Sequence, residues 1–338
     1  MQLKFVDCPS NTVEVPLIWG VTTYDDVMVC HHGKGSVTTW DIGDPLNIRQ
    51  LGAADVENAS NSVIHDKNLY LYRTDKIHIY SVSDPVTIKK LNTITFEVPC
   101  GLPSRAYSRP LDIAVDGTLW AVNGNGAIGV YDMSGAFTEH ISPIAELVEA
   151  HTDLAIKAVN DLVAVSHTEY GVLVYGKNAN GKLHLLKHIP KGMEYSMGIP
   201  ITGVCDNQML LLASHMGVVP IDLHDTNKIK KLKKFIPLYE IDNRYGLCFI
   251  DLGPSMKESL SHNAHEVLAF GSLNDSFELA LLDVSPAGVT RKDKVRQKHP
   301  NRKFTCAISG MFLKGNHLIL LGNLPKTPGN FEVFEFSK

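Results

Sequence analysis

The chain has 338 residues, 44% of them hydrophobic and 20% charged, with 32 basic against 36 acidic side chains and a formal net charge of -4 at pH 7. No apolar run approaches the roughly 18 residues that a membrane span needs, and the acidic balance argues against a dedicated nucleic-acid binder. The six cysteines (Cys8, Cys30, Cys100, Cys205, Cys248 and Cys306) form no C-x-x-C pair, and several sit in apolar runs as buried thiols do in a reducing compartment.

In chain order, MQLKFVDCPSNTVEVP carries no apolar core of signal-peptide length, so the expected location is cytoplasmic. Residues 2–6 form a short strand with no hairpin of their own. VMVCHHGKGSVTTWDIGDP, residues 27–45, then divides into an apolar run (Val27 to Cys30), a polar tip (His31 to Gly35) and a second run (Ser36 to Ile42). That pattern predicts a β-hairpin with a glycine-containing turn. It recurs at NLYLYRTDKIHIYSV from Asn68, TLWAVNGNGAIGVYDM from Thr118, DLVAVSHTEYGVLVYGK from Asp161 and QMLLLASHMGVVPIDL from Gln208. Looser copies begin at His265 and Asn316. Seven hairpins in this length give about 48 residues per unit, within the range of propeller blades.

A short apolar strand precedes each hairpin and a turn with a fourth strand follows it, so each unit is a four-stranded antiparallel sheet. The third strand ends on a large residue before a small or acidic one: Trp40-Asp41, Tyr80-Ser81, Tyr131-Asp132, Tyr175-Gly176, Ile221-Asp222, Leu282-Asp283 and Phe334-Glu335. The large member is expected to pack between neighbouring units. The last copy stops at Lys338 after three strands, and pairing of residues 2–6 as its fourth strand would cover an otherwise bare edge. The fold class expected is therefore all-β, a seven-bladed β-propeller forming a single domain over residues 1–338.

DIGDPLNIRQLG (Asp41 to Gly52) and YSVSDPVTIKKL (Tyr80 to Leu91) resemble the LVIVD repeat of bacterial and archaeal propellers, whose hallmark is a strand ending in Asp-Val-Ser-Asp-Pro. LLDVSPAGV near Leu282 is a partial third copy. The resemblance implies a propeller and leaves the activity open, because the family is broad.

Function is expected at one face of the ring, where the turns between second and third strands meet the connections leading into first strands. The turns contribute His31, His32, Arg73, His167 and His215, and the connections contribute Arg105, Arg109, His151 and Arg244. Histidine is the commonest metal ligand, but blade one lies across the ring from blades four and five, so no metal and no cofactor is expected. Arg105, Arg109 and Arg244 could converge on a carboxylate or phosphate at the channel mouth, and TFEVPCGLPSRAYSRP (Thr95 to Pro110) is the long loop that would carry two of them. NKIKKLKKF (Asn227 to Phe235) and TRKDKVRQKHPNRK (Thr290 to Lys303) put a basic flank on the outer strands of blades five and six.

No G-x-S-x-G, H-E-x-x-H or calcium-loop pattern occurs, and the glycines of VNGNGAIGVYD lead into a strand, without the helix N-terminus that phosphate binding needs. Ser166-His167 and Ser214-His215 are adjacent pairs, which strand alternation sends to opposite faces. The reading favoured by the residues is a non-catalytic scaffold with a protein partner. Its competitor is a small-molecule enzyme, a lyase or hydrolase, or an anionic-ligand binder using the histidines and arginines at the channel mouth.

Overall fold

A computed structural model describes residues 1–33, 35–59, 61–73, 76–95, 111–114, 117–122, 128–132, 137–141, 154–159, 161–167, 171–180, 182–190, 201–204, 208–214, 217–232, 248–254, 264–273, 276–300, 308–324 and 327–338. Two short strands, β1 (Gln2–Phe5) and β2 (Glu14–Val15), flank a 3-10 turn at Pro9–Thr12. Blade one follows as β3 (Ile18–Tyr24), β4 (Val27–His32), β5 (Ser36–Asp41) and β6 (Arg49–Asp55). Blade two is β7 (Asn61–His65), β8 (Asn68–Arg73), β9 (Lys76–Ser81) and β10 (Lys89–Thr95), and blade three is β11 (Leu111–Ile113), β12 (Leu119–Val122), β13 (Ile128–Tyr131) and β14 (Phe137–Ile141). Blade four comprises β15 (Leu154–Val159), β16 (Leu162–His167), β17 (Gly171–Lys177) and β18 (Leu183–Ile189); blade five comprises β19 (Ile201–Val204), β20 (Met209–Ser214), β21 (Gly217–Asp222) and β22 (Lys230–Lys231). Blade six is β23 (Cys248–Pro254), β24 (His265–Leu273), β25 (Ser276–Ser285) and β26 (Gly288–Lys298), and blade seven opens with β27 (Ile308–Lys314), β28 (His317–Leu324) and β29 (Thr327–Ser337).

Every sheet is antiparallel, and six of the seven join their four strands in sequence order, so the architecture is the seven-bladed propeller that the repeat implied. Strand β1 completes blade seven, with Gln2 opposite Ser337 and Phe5 opposite Phe334. Strand β2 pairs the other end of the same strand, Glu14 opposite Asn330 and Val15 opposite Gly329. The outer strand of this blade is thus two segments around the 3-10 turn, where the sequence pointed to residues 2–6 alone.

The core lies in the seams between blades. Buried clusters bridge blades seven and one, one and two, two and three, three and four, and six and seven, and one larger cluster spans four, five and six. The seven large residues that close the third strands each take part in a seam. Trp40 packs edge-on to Phe331 of blade seven, with centroids 6.0 Å apart, while Tyr80, Tyr131 and Tyr175 lie against blades one, two and three. A side chain of this size loses most of its apolar surface to the neighbouring sheet, which contributes on the order of 2–3 kcal/mol per residue.

The turns after β5, β9 and β21 share one construction. Asp41 Oδ1 accepts from Gly43 N at 3.0 Å and Asp44 Oδ1 from Leu46 N at 3.0 Å. Ser81 and Asp84 do the same for Ser83 N and Val86 N, and Asp222 and Asp225 for His224 N and Asn227 N. The third copy of the motif is therefore DLHDTNKIKKL in blade five. The partial copy at LLDVSPAGV is corrected: β25 runs through Ser285 and turns straight into β26 at Gly288, a two-residue hairpin with no room for the Asp turn.

These turns reach the preceding blade. The Pro85 carbonyl accepts from Thr39 Oγ1 of blade one and lies over Gly52, where an added Cβ would come within 2.4 Å of it. The Pro45 carbonyl accepts from Ser10 Oγ at 2.9 Å, and Ile48 N donates to the same hydroxyl at 2.8 Å. Ser10 belongs to the 3-10 turn, so this clasp ties blade one to the segment that completes blade seven.

Candidate functional site

The face in question is built around the ends of β4 and β8 and the start of β7. His31 and His32 do not form a polar tip, as the sequence reading had them; they are the last residues of β4 and are only 2% and 3% exposed. Strand alternation sends them into different seams. His31 Nδ1 lies 2.8 Å from Ser62 Oγ, at the head of blade two. Its ring rests on Gly20, where a Cβ would approach Cε1 to 2.5 Å, so only glycine admits it. Burial, with a smaller contribution from His32, pushes the His31 pKa down to about 4, opposed by a backbone contact at Ala59.

His32 faces the blade-seven side. Its Nε2 lies 2.8 Å from Thr38 Oγ1, its Nδ1 lies 3.3 Å from the Leu17 carbonyl, and Trp40 Nε1 donates to Thr38 Oγ1 at 2.7 Å. The set closes consistently with a neutral His32 that donates from Nδ1 and accepts from Thr38 at Nε2. Burial lowers its pKa in the same sense.

A serine 2.8 Å from a histidine has the shape of a nucleophile and base, but the third member is missing. Among the described residues no carboxylate hydrogen-bonds or ion-pairs with His31 or His32. The contact instead begins a row of polar links between neighbouring blades. Asn61 Nδ2 donates to the Leu111 carbonyl at 3.2 Å, joining blades two and three. Asp112 Oδ2 accepts from Ala158 N at 2.8 Å and pairs with Lys157 Nζ at 2.9 Å, joining three and four.

Arg73 ends β8, exposed and opposite Lys76 across its turn. His167 ends β16, with its backbone opposite Gly171 and Leu154. Arg105, Arg109, His151, His215 and Arg244 lie outside the described residues, as do most of the loop from Thr95 to Pro110 and the segments 142–153 and 255–263. Of the four candidates among the described residues, His31 and His32 are neighbours on β4 with rings in different seams, and Arg73 and His167 end strands of other blades.

Leu17 and Trp19 were not among the candidates; they flank the end of β4, with the Leu17 carbonyl against His32, and are 38% and 40% exposed. Trp19 covers Gly33, where a Cβ would fall within 2.2 Å of its indole nitrogen. The signal was present in PLIW, an apolar cluster at the start of a first strand, but it reads equally well as core.

Among the described residues, the blade-six part of the basic flank is compensated from within. Buried Glu278, 1% exposed on β25, takes Arg296 Nε at 2.8 Å, with Arg291 at 3.8 Å and Lys294 at 4.0 Å. Glu266 holds Lys292 and Lys338, and the hydrogen bonds from these lysines outweigh its burial and keep its pKa low. Across the first seam Glu57 accepts from Tyr80 and Lys90; burial pushes its pKa up, but those bonds prevail and hold it at about 2. The thiol of Cys30 is fully buried in the seam between blades seven and one, and burial raises its pKa.

No protein-family model matches the chain, and no curated protein does. Solved structures are similar along nearly its full length. The β-propeller domain of Cps50 (Swd1) from Myceliophteria thermophila aligns at 13% identity over 97% of this chain and 99% of its own, with a TM-score of 0.59. Sqt1 from Chaetomium thermophilum aligns at 12% identity over 95% of this chain and 83% of its own, TM-score 0.62. The same protein bound to the N-terminus of the ribosomal protein L10 aligns at 12% over 95% and 84%, TM-score 0.61. Identities this low speak to fold alone. The chain is a seven-bladed β-propeller, and no helix among its described residues is long and apolar enough to cross a membrane.

Proposed function

We propose that this protein is a non-catalytic propeller scaffold, folded as one domain, that binds a segment of a protein partner on the face around Leu17 and Trp19. The observation that carries the reading is the contrast on that face. The histidine pair that would serve chemistry is neutral, buried and committed to inter-blade bonds, whereas a tryptophan and a leucine stand in water beside it. An exposed aromatic on a rigid rim is the usual anchor of a protein contact. The solved propeller bound to the N-terminus of L10 supports the same mode of use. Kinship with the LVIVD-repeat propellers rests on the three Asp turns. Affinity capture with the wild-type chain and with Trp19→Asp tests the reading: a stoichiometric partner lost from the variant upholds it, and identical captures refute it.

A further inference from the structure

Trp19 is the extra residue of a β-bulge. Ile18 pairs with His32 and Gly20 with His31, so the tryptophan between them has no partner on β4, and its aim depends on how the two histidines hold β3. The His31 ring rests on Gly20, and His32 Nδ1 meets the Leu17 carbonyl at 3.3 Å. The aromatic anchor of the proposed face is therefore held on both sides by a titratable ring.

That hold suits neutral rings. Thr38 Oγ1 accepts from Trp40 Nε1 and gives its own hydrogen to His32 Nε2. A proton on Nε2 would meet that hydrogen head on. Turning the hydroxyl round leaves it without an acceptor among the described residues, on a side chain only 6% exposed. His31 Nε2 is buried with no hydrogen bond, so a proton there finds only the weaker backbone contact at Ala59. Among the described residues no carboxylate compensates either charge. Glu57 is held by Tyr80 and Lys90 and Glu332 of β29 by His299, while Glu14 of β2 and Asp55 at the end of β6 stand exposed and unpaired with either ring. The titratable group that faces each histidine is the other one, and like charges repel.

We propose that the His31–His32 pair is a pH-sensitive clamp on the bulge, which holds Trp19 down on Gly33 in neutral solution and releases it in acid, so that acidification shuts off partner binding at this face. A fixed anchor binds at little cost in ordering, and a released one must be ordered again first. The shut-off rests on the scaffold reading; the movement of Trp19 does not. Burial lowers both pKa values, that of His31 to about 4, so the charged rings appear in the folded protein only below the ordinary 6.5 and the released state grows as pH falls further.

The first test uses the chain alone. Trp40 and Trp120 are each 2% exposed, so of the three tryptophans Trp19 is the one that an uncharged quencher such as acrylamide reaches. Its quenching constant should roughly double below pH 6.5, since an indole 40% exposed has about that much surface left to gain. The rise should follow the His32 ring titration read by NMR at Cε1–H, with far-UV circular dichroism unchanged. His32→Gln should flatten the curve, and His32→Asn replaces it should the first variant lose the folded spectrum. A quenching constant that stays flat through the His32 titration, a rise that persists in the variant, or unfolding ahead of that titration would each overturn the clamp. The second test is capture at neutral pH and at the midpoint of the quenching curve. A partner lost by the wild type in acid and kept by His32→Gln upholds the shut-off, and equal retention by the wild type at both pH values overturns it. Identical captures by the wild type and Trp19→Asp at neutral pH refute the scaffold reading instead, and leave the quenching result standing.

Discussion

His31 of blade one and Ser62 of blade two meet at 2.8 Å across the first seam, and the histidine makes that contact while buried and neutral. Because its folded pKa, about 4, lies below the ordinary 6.5, the unfolded chain takes up the proton first as pH falls. Stability is therefore fully present above pH 6.5 and is lost as pH drops from 6.5 towards 4. The loss from this one group is about 3 kcal/mol. Burial shifts His32 and His78 in the same direction, so they add to it. Urea midpoints measured across that window should fall steeply for the wild type and less steeply for His31→Asn, which keeps a polar atom near Ser62.

Thr38 holds Trp40 and His32 together through a single hydroxyl. Thr38→Val keeps the shape and strands two buried polar groups, which should cost ~2–4 kcal/mol. Thr38→Ser should recover most of it. Chemical denaturation of the pair separates a lost hydrogen bond from lost volume.

Gly52 has no backbone strain to relieve, yet a methyl there would collide with the Pro85 and Val86 carbonyls of blade two. Gly52→Ala should destabilise by about 1–3 kcal/mol by lifting the turn off blade one. Proteolysis between Ser83 and Thr87 should accelerate at the same time.

Glu278 is buried beneath three cations that remain partly in water. Glu278→Gln should cost ~2 kcal/mol, less than a fully buried pair because Arg291, Lys294 and Arg296 can turn outward. Lys228→Ala, at an exposed pair with Asp225, should stay within about 0.5 kcal/mol. Similar losses from the two variants would contradict the assignment of the basic flank to internal compensation.

Removing residues 1–8 strips β1 from β29 and bares its edge from Phe334 to Ser337. The melting temperature should drop, and light scattering should show association that grows with concentration. An unchanged, monomeric product would mean that the closing strand contributes nothing to the ring.

Much of the ring was readable from the chain. Period-two alternation and evenly spaced turns mark the strands, and the large residue before each polar one marks the seam, because both patterns are local. The two-segment outer strand of blade seven was half legible: Gln2 to Val6 looks like a strand, whereas Glu14–Val15 is too short to announce itself before it pairs. The third Asp turn was hidden because threonine stands where proline stood in the first two, although DLHDTNKIKKL keeps the two aspartates of blade one at the same spacing.

The sequence by itself determined how many sheets there are, which large residues close the third strands and enter the seams, and that a strand near the start completes the last sheet, since each follows from spacing along one strand or one turn. Only the tertiary structure decided that His31 meets Ser62, that Trp19 stands in water and that Glu278 absorbs the basic strand. These are relations between neighbouring sheets, and they depend on the register and angle at which two blades pack, which no periodicity within either blade encodes.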